Sequence, residues 1–140
     1  MTSCLFALRK KEVSWFATTG LFLFPIKNAV EQLKITCPKW GEEFQWLINE
    51  DCRIGVFFDE MTLEEEKLVL DALKQGYQRC IDEPEFGKSL IIDPDYFPLC
   101  MERYKELIDM IEEEIHFIEC GMLILQEDGT AILNEAFKEE

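Results

Sequence analysis

Apolar and polar residues alternate loosely from Ser3 to Arg9, the period expected of a half-buried strand. Ser14 to Phe24 reads Ser-Trp-Phe-Ala-Thr-Thr-Gly-Leu-Phe-Leu-Phe, and its aromatic content predicts a second strand interrupted at Gly20. Arg9-Lys10-Lys11 then falls in the connection between the two. Pro25 suits the first turn of a helix, and Ile26, Ala29, Val30 and Leu33 follow at helical spacing, so a short helix is expected over 25–35. Pro38 opens another helix, with Trp40, Phe44, Leu47 and Ile48 on one face. Arg53 to Phe58 is a compact apolar run bounded by polar residues and predicts a strand.

The second half is more strongly marked. Thr62-Leu-Glu-Glu65 is a capping-box pattern, in which the Thr hydroxyl and the Glu carboxylate satisfy each other's orphan backbone donors. The helix that follows carries Leu63, Leu70, Leu73, Tyr77 and Cys80 along one stripe and should end before Pro84. Lys88 to Ile92 predicts a short strand, and Asp93 a turn with Pro94. After Pro98, the positions Tyr104, Leu107, Ile108, Ile111, Ile115 and Ile118 form the clearest helical stripe in the chain. Gly121 fits the left-handed position beyond its end. Met122 to Leu133 is a hairpin signal in which Asp128-Gly129 would supply the positive φ angles of a type I′ turn. The expected fold class is α+β: several helices with a small, largely antiparallel sheet that includes a C-terminal hairpin.

The 140-residue length fits a single compact domain over 1–140, and 48% hydrophobic residues provide a core. The longest apolar stretch, Gly20 to Ile26, is far shorter than a bilayer span, and the basic residues near the start follow the apolar run where a secretory signal would place them first. The six cysteines include no C-x-x-C pair, and most have apolar neighbours. Reduced thiols packed as small core residues, in a cytoplasmic protein, are the expectation.

Charge changes this picture most. The net charge is −15, and it is unevenly spread: residues 1–40 carry six basic and two acidic side chains, whereas 41–140 carry the remaining 27 acidic side chains. Such a field repels nucleic acid and anionic membranes and attracts basic partners.

Candidate chemistry is sparse. Glu113-Glu-Ile-His116 has the carboxylate–imidazole spacing of a di-iron helix, and Cys120 lies one turn beyond, but the chain has one histidine and cannot complete such a site by itself. The same histidine would have to serve any Cys/His or Ser/His nucleophile, and Cys120 sits among carboxylates that would raise its pKa. Asp93-Pro-Asp95 lacks the central Gly and terminal Glu of a calcium loop. There is no phosphate-binding glycine motif. The acidic runs, Glu64-Glu65-Glu66 and Glu112-Glu113-Glu114 among them, read as solvated faces. No catalytic residue, metal ligand or cofactor is expected.

What remains is a surface. In size and charge the chain resembles the immunity proteins that neutralise bacterial toxins, nucleases especially, although it shares no motif with them. An inhibitor or immunity protein docking a basic partner is the leading expectation. Its contact candidates are Glu106, Asp109, Glu112 and Glu113 on the last long helix, Asp59, Glu60, Glu64, Glu65 and Glu66 near the capping box, and Trp46 if that ring is exposed. Packing of Trp46 against another element is the favoured alternative for that residue. The alternatives for the whole chain are an adaptor or homo-oligomer joined through the 104–118 stripe, and an enzyme whose site leaves no signature.

Overall fold

The computed structural model describes residues 3–50 and 55–137. The fold is α+β. Strands β1 (Ser3–Ala7) and β2 (Ser14–Thr18) pair antiparallel, Ser3 opposite Thr18 and Ala7 opposite Ser14. Strand β3 (Gly55–Phe57) adds in parallel to the other edge of β1, giving the order β2-β1-β3. Arg53 and Ile54 of the expected third strand lie outside the described residues, as does Cys52.

Two expectations fail between β2 and β3. The apolar run after Thr18 is not a strand: helix α1 spans Thr19–Thr36, with Pro25 inside it and not at its start. A short, continuous apolar run has no period that separates a strand from a buried helix. Here the helix is central. Phe22, Leu23, Phe24, Pro25 and Ile26 are all buried, because α1 meets the sheet, α2 (Pro38–Asn49), α3 (Leu63–Asp82) and α5 (Phe97–Glu119). Pro38 does open α2, on whose inner side Trp40, Phe44 and Leu47 are buried.

The capping box at Thr62 forms as expected: Thr62 Oγ1 accepts from the Glu65 N–H at 3.1 Å, and Glu65 Oε1 accepts from the Thr62 N–H at 2.9 Å. The bond from Thr62 is the leading reason that the Glu65 carboxyl is held below its ordinary range. The buried face of α3 is turned relative to the expected stripe. It runs through Glu66, Val69, Ala72, Leu73, Gly76 and Cys80, with Leu63, Leu70 and Tyr77 at its flanks. No strand forms at Lys88–Ile92. Helix α4 (Pro84–Lys88) ends there, and tight backbone bonds from Leu90 to Gly87 and from Ile91 to Lys88 carry the chain around while Leu90 and Ile91 pack on the core. Asp93 does cap the next turn, accepting from the Asp95 N–H.

The α5 stripe packs inward: Tyr104, Leu107, Ile108, Ile111 and Ile115 are buried. Tyr104 stands edge-on to Phe24 and Tyr77 and donates its hydroxyl to the Leu73 carbonyl, tying α5 to α3. Its burial pushes the phenol well above its ordinary pKa. Gly121 takes φ +87° beyond the helix end, as its position predicts. The C-terminal hairpin, β4 (Leu123–Leu125) with β5 (Ala131–Leu133), is antiparallel and separate from the first sheet. Its turn is not type I′. Only Gly129 has positive φ, and Asp128 keeps the ordinary sign because its carboxylate is tied to the Thr130 N–H and hydroxyl. The pattern is a four-residue turn, Gly129 N–H to Gln126 O, closed by a left-handed glycine.

Candidate functional site

The hairpin turn comes to rest beside the short 3-10 turn Phe58–Glu60 that precedes α3. A Cβ on Gly129 would lie 1.9 Å from the Asp59 carbonyl oxygen, so glycine is required for this approach as well as for its φ. Between the two turns is an open hollow of about 480 Å³, whose lining includes Asp59, Glu60, Glu65, Glu127, Asp128 and Lys39. Lys39 is 3.7 Å from Glu65. Among the described residues, Asp59, Glu60, Glu127 and Asp128 have no ion-pair partner within 4 Å. The bonds from Thr130 lower the Asp128 pKa, with Lys11 contributing a smaller effect of the same sign.

The floor of the hollow is held from below by Arg9, which is only 1% exposed. Its guanidinium donates to Glu66 Oε1 (2.7 Å), the Gly129 carbonyl (2.8 Å) and the Met61 carbonyl (2.6 Å). Its backbone N–H donates to Glu114 Oε2 at 2.9 Å, and the Lys10 N–H reaches the same oxygen at 3.3 Å. Glu66 and Glu114 are 0% and 4% exposed. Both belong to acidic runs that the sequence marks as solvated faces, and both are instead buried. Each lies on the apolar stripe of its helix: Glu66 three residues before Val69, Glu114 three after Ile111. The spacing was a signal, and a reading that counts only hydrophobic residues passes over it.

One oxygen of each carboxyl, Glu66 Oε2 and Glu114 Oε1, has no donor from the rest of the protein. The two buried carboxyls act on each other beside a single guanidinium, an arrangement that favours one proton held between them. Burial, reinforced by that interaction with Glu66, pushes the Glu114 carboxyl up to about 8. With one proton held, the three side chains sum to zero charge, which avoids the large cost of an unpaired buried ion. Beside Glu114 is a cavity of about 270 Å³ with mostly apolar walls, among them Met110 and Phe117 of α5 and Met122, Leu123 and Leu133 of the hairpin, with Lys10 and Glu113 also lining it.

The structure separates the other anticipated contact residues. Glu106 pairs with Arg103, Asp109 with Lys105 at 2.5 Å, and Glu112 with Lys74 at 2.6 Å, so these carboxylates are neutralised within the chain. Glu113 is exposed. Glu64 is 3.7 Å from Lys67. Of these, only Asp59, Glu60 and Glu65 line the hollow, which also has Glu127 and Asp128 from the hairpin turn, a segment whose sequence marks it as a turn and not as a contact surface. Trp46 does not pack away as favoured: it is 57% exposed on α2 and is not part of the hollow. His116 is exposed, its ring tilted against Phe117, and Cys120 is exposed nearby. Cys4, Cys37, Cys80 and Cys100 are buried, and burial raises the Cys80 thiol to about 11. Among the described residues no three metal-ligating side chains converge, and no helix is long and apolar enough to cross a membrane.

Comparison with known proteins finds no matching family model, no matching curated sequence and no matching solved structure.

Proposed function

We propose that this chain is a protein-binding domain that docks a basic partner on the hollow between the Phe58–Glu60 turn and the C-terminal hairpin. The observation that carries this reading is the cluster of Asp59, Glu60, Glu127 and Asp128, which line one concave surface without ion pairs among the described residues. Carboxylates already paired with lysine or arginine have less to offer a partner. Unpaired ones steer a cationic surface and can then pair with its Lys and Arg side chains. Inhibition of a basic enzyme, as an immunity protein inhibits a nuclease toxin, is the form of this function that best suits a small acidic domain. Self-association through the 104–118 stripe lacks a surface to act through, since most of the stripe is buried in the chain's own core.

The test is affinity capture from the native host, followed by association kinetics with the purified partner. A basic partner is expected whose association slows about tenfold or more from low to physiological salt. Joint neutralisation of Asp59, Glu60, Glu127 and Asp128 to the corresponding amides should slow it comparably. Neutralising Glu106, Asp109 and Glu112 should change it little. A salt-independent association rate, or a loss confined to the second variant, overturns the reading.

A further inference from the structure

We propose that the proton between Glu66 and Glu114, together with Arg9, is a latch that holds the C-terminal hairpin onto the body, and that withdrawing this proton in alkaline solution releases the hairpin while the helical core stays folded. The inference does not rest on the docking reading.

The geometry makes the hairpin the element most dependent on this cluster. Two paired strands of three residues do not persist in water without packing. The hairpin reaches the body through buried Leu123 and Ala131, the packing of β4 on α5, the approach of Gly129 to Asp59, a parallel backbone bridge from Ala131 to Lys10, and two hydrogen bonds that involve Arg9. In one, the guanidinium donates to the Gly129 carbonyl. In the other, the Ala131 N–H donates to the Arg9 carbonyl at 3.0 Å. Arg9 is itself placed by the carboxyl pair, through its side chain on Glu66 and its backbone on Glu114.

Among the described residues no second buried cation stands beside the pair to absorb an added negative charge, and Lys10, on the cavity next to Glu114, is solvent-exposed. Arg9 is the only buried base among the described residues, while Lys10 is exposed and offers Glu114 its backbone N–H. Glu113 lies beside Glu114 on α5, and Asp59, Glu60 and Asp128 stand on the two turns above Arg9, with Lys11 acting on Asp128. Once both carboxyls are ionised they repel each other, and one must find water. The cavity beside Glu114 is the available route, and hairpin residues Met122, Leu123 and Leu133 form part of its wall. Hydrating Glu114 therefore works against the seating of the hairpin.

Amide exchange measured by solvent-saturation-transfer NMR, corrected for intrinsic rates, tests this between pH 7 and pH 9.5. Protection at Ala131 and Asn134 should fall at least tenfold more than protection in α1. In Glu114→Gln, whose amide can donate to Glu66 and accept from the Arg9 and Lys10 N–H groups, the differential loss should vanish. The same loss in Glu114→Gln, equal loss in α1, or no loss in the wild type overturns the proposal. A ¹³C titration of the wild-type carboxyls stands independently of whether the variant folds. A glutamate titrating above pH 7 is expected, and titration of every glutamate below pH 6 overturns the shared proton.

Discussion

Glu112, Glu113 and Glu114 are consecutive on one helix, yet they occupy three electrostatic settings. Glu112 reaches Lys74 across the α3–α5 boundary, half exposed. Glu113 is exposed to solvent. Glu114, one residue further on, is buried against Glu66 and the backbone of Arg9 and Lys10. A rotation of about 100° per residue is all that separates them. The same contrast recurs at Glu64, Glu65 and Glu66, where the first is loosely paired with Lys67, the second closes the capping box and the third is buried. The formal charge of −15 is therefore a poor guide to what the surface presents. Some carboxylates are neutralised by neighbouring cations and one is neutralised by a proton. The carboxylates of the hollow differ from other exposed acids in converging on one concave surface without ion pairs among the described residues.

The largest break in this contrast should come from its buried side. Arg9→Met keeps most of the side-chain volume but leaves Glu66 without its cation and the Gly129 and Met61 carbonyls without donors. Removing one partner of a buried ion pair typically costs about 3–5 kcal/mol. Urea unfolding at pH 7 should show that loss as a lower midpoint at an unchanged slope. A loss below about 1 kcal/mol would mean that the cluster is not the anchor described above.

The next effect is in the pH dependence. The Glu114 carboxyl sits at about 8 in the folded chain, against an ordinary value of 4.5. Below 4.5 both folded and unfolded chains hold the proton, and the group favours neither. Between 4.5 and 8 the folded chain retains a proton that the unfolded chain releases, so stability falls as pH rises, by at most about 1.4 kcal/mol per unit. Above 8 the effect levels off. This is opposite in sign to Glu65 and Asp128, whose lowered values favour folding above their ordinary range. Comparing wild type with Glu114→Gln cancels those shared contributions. From pH 5.5 to 7.5 the wild type should lose about 2 kcal/mol more than the variant. Parallel profiles would remove the proton from the account.

Much of the fold could be read in the pattern of residues, and the failures have physical causes. The capping box, the Pro38 start, the α5 stripe and Gly121 each depend on local chemistry that operates regardless of what packs nearby. The segment Thr19–Phe24 was misassigned because a helix buried on nearly all sides loses the polar face that gives helices their period. The buried cluster was missed because its members are a glutamate on α3, a glutamate on α5 and an arginine after β1, each unremarkable in its own segment. Their common site exists only once the helices cross, and Arg9 interrupts the strand alternation by being buried directly after Leu8. Half of the hollow was legible, in Asp59 and Glu60. The other half, Glu127 and Asp128, lies on a turn that meets the Phe58–Glu60 turn only in the folded chain.

The smallest effect sharpens the outer half of the comparison. Lys74 and Glu112 approach to 2.6 Å, but each is about half exposed. Water screens such a pair, and holding two long side chains in one geometry costs entropy. A double-mutant cycle with Lys74→Ala and Glu112→Ala should give a coupling below about 0.5 kcal/mol, declining with added salt. The Arg9–Glu66 pair, closer to 0% exposure on both sides, should give a coupling several times larger that responds little to salt. Two ion pairs with nearly equal N–O distances would then differ through burial and the bonds that burial lets Arg9 keep. If the surface coupling matched the buried one, distance and not burial would govern these carboxylates, and the distinction between Glu112 and Glu114 would lose its energetic meaning.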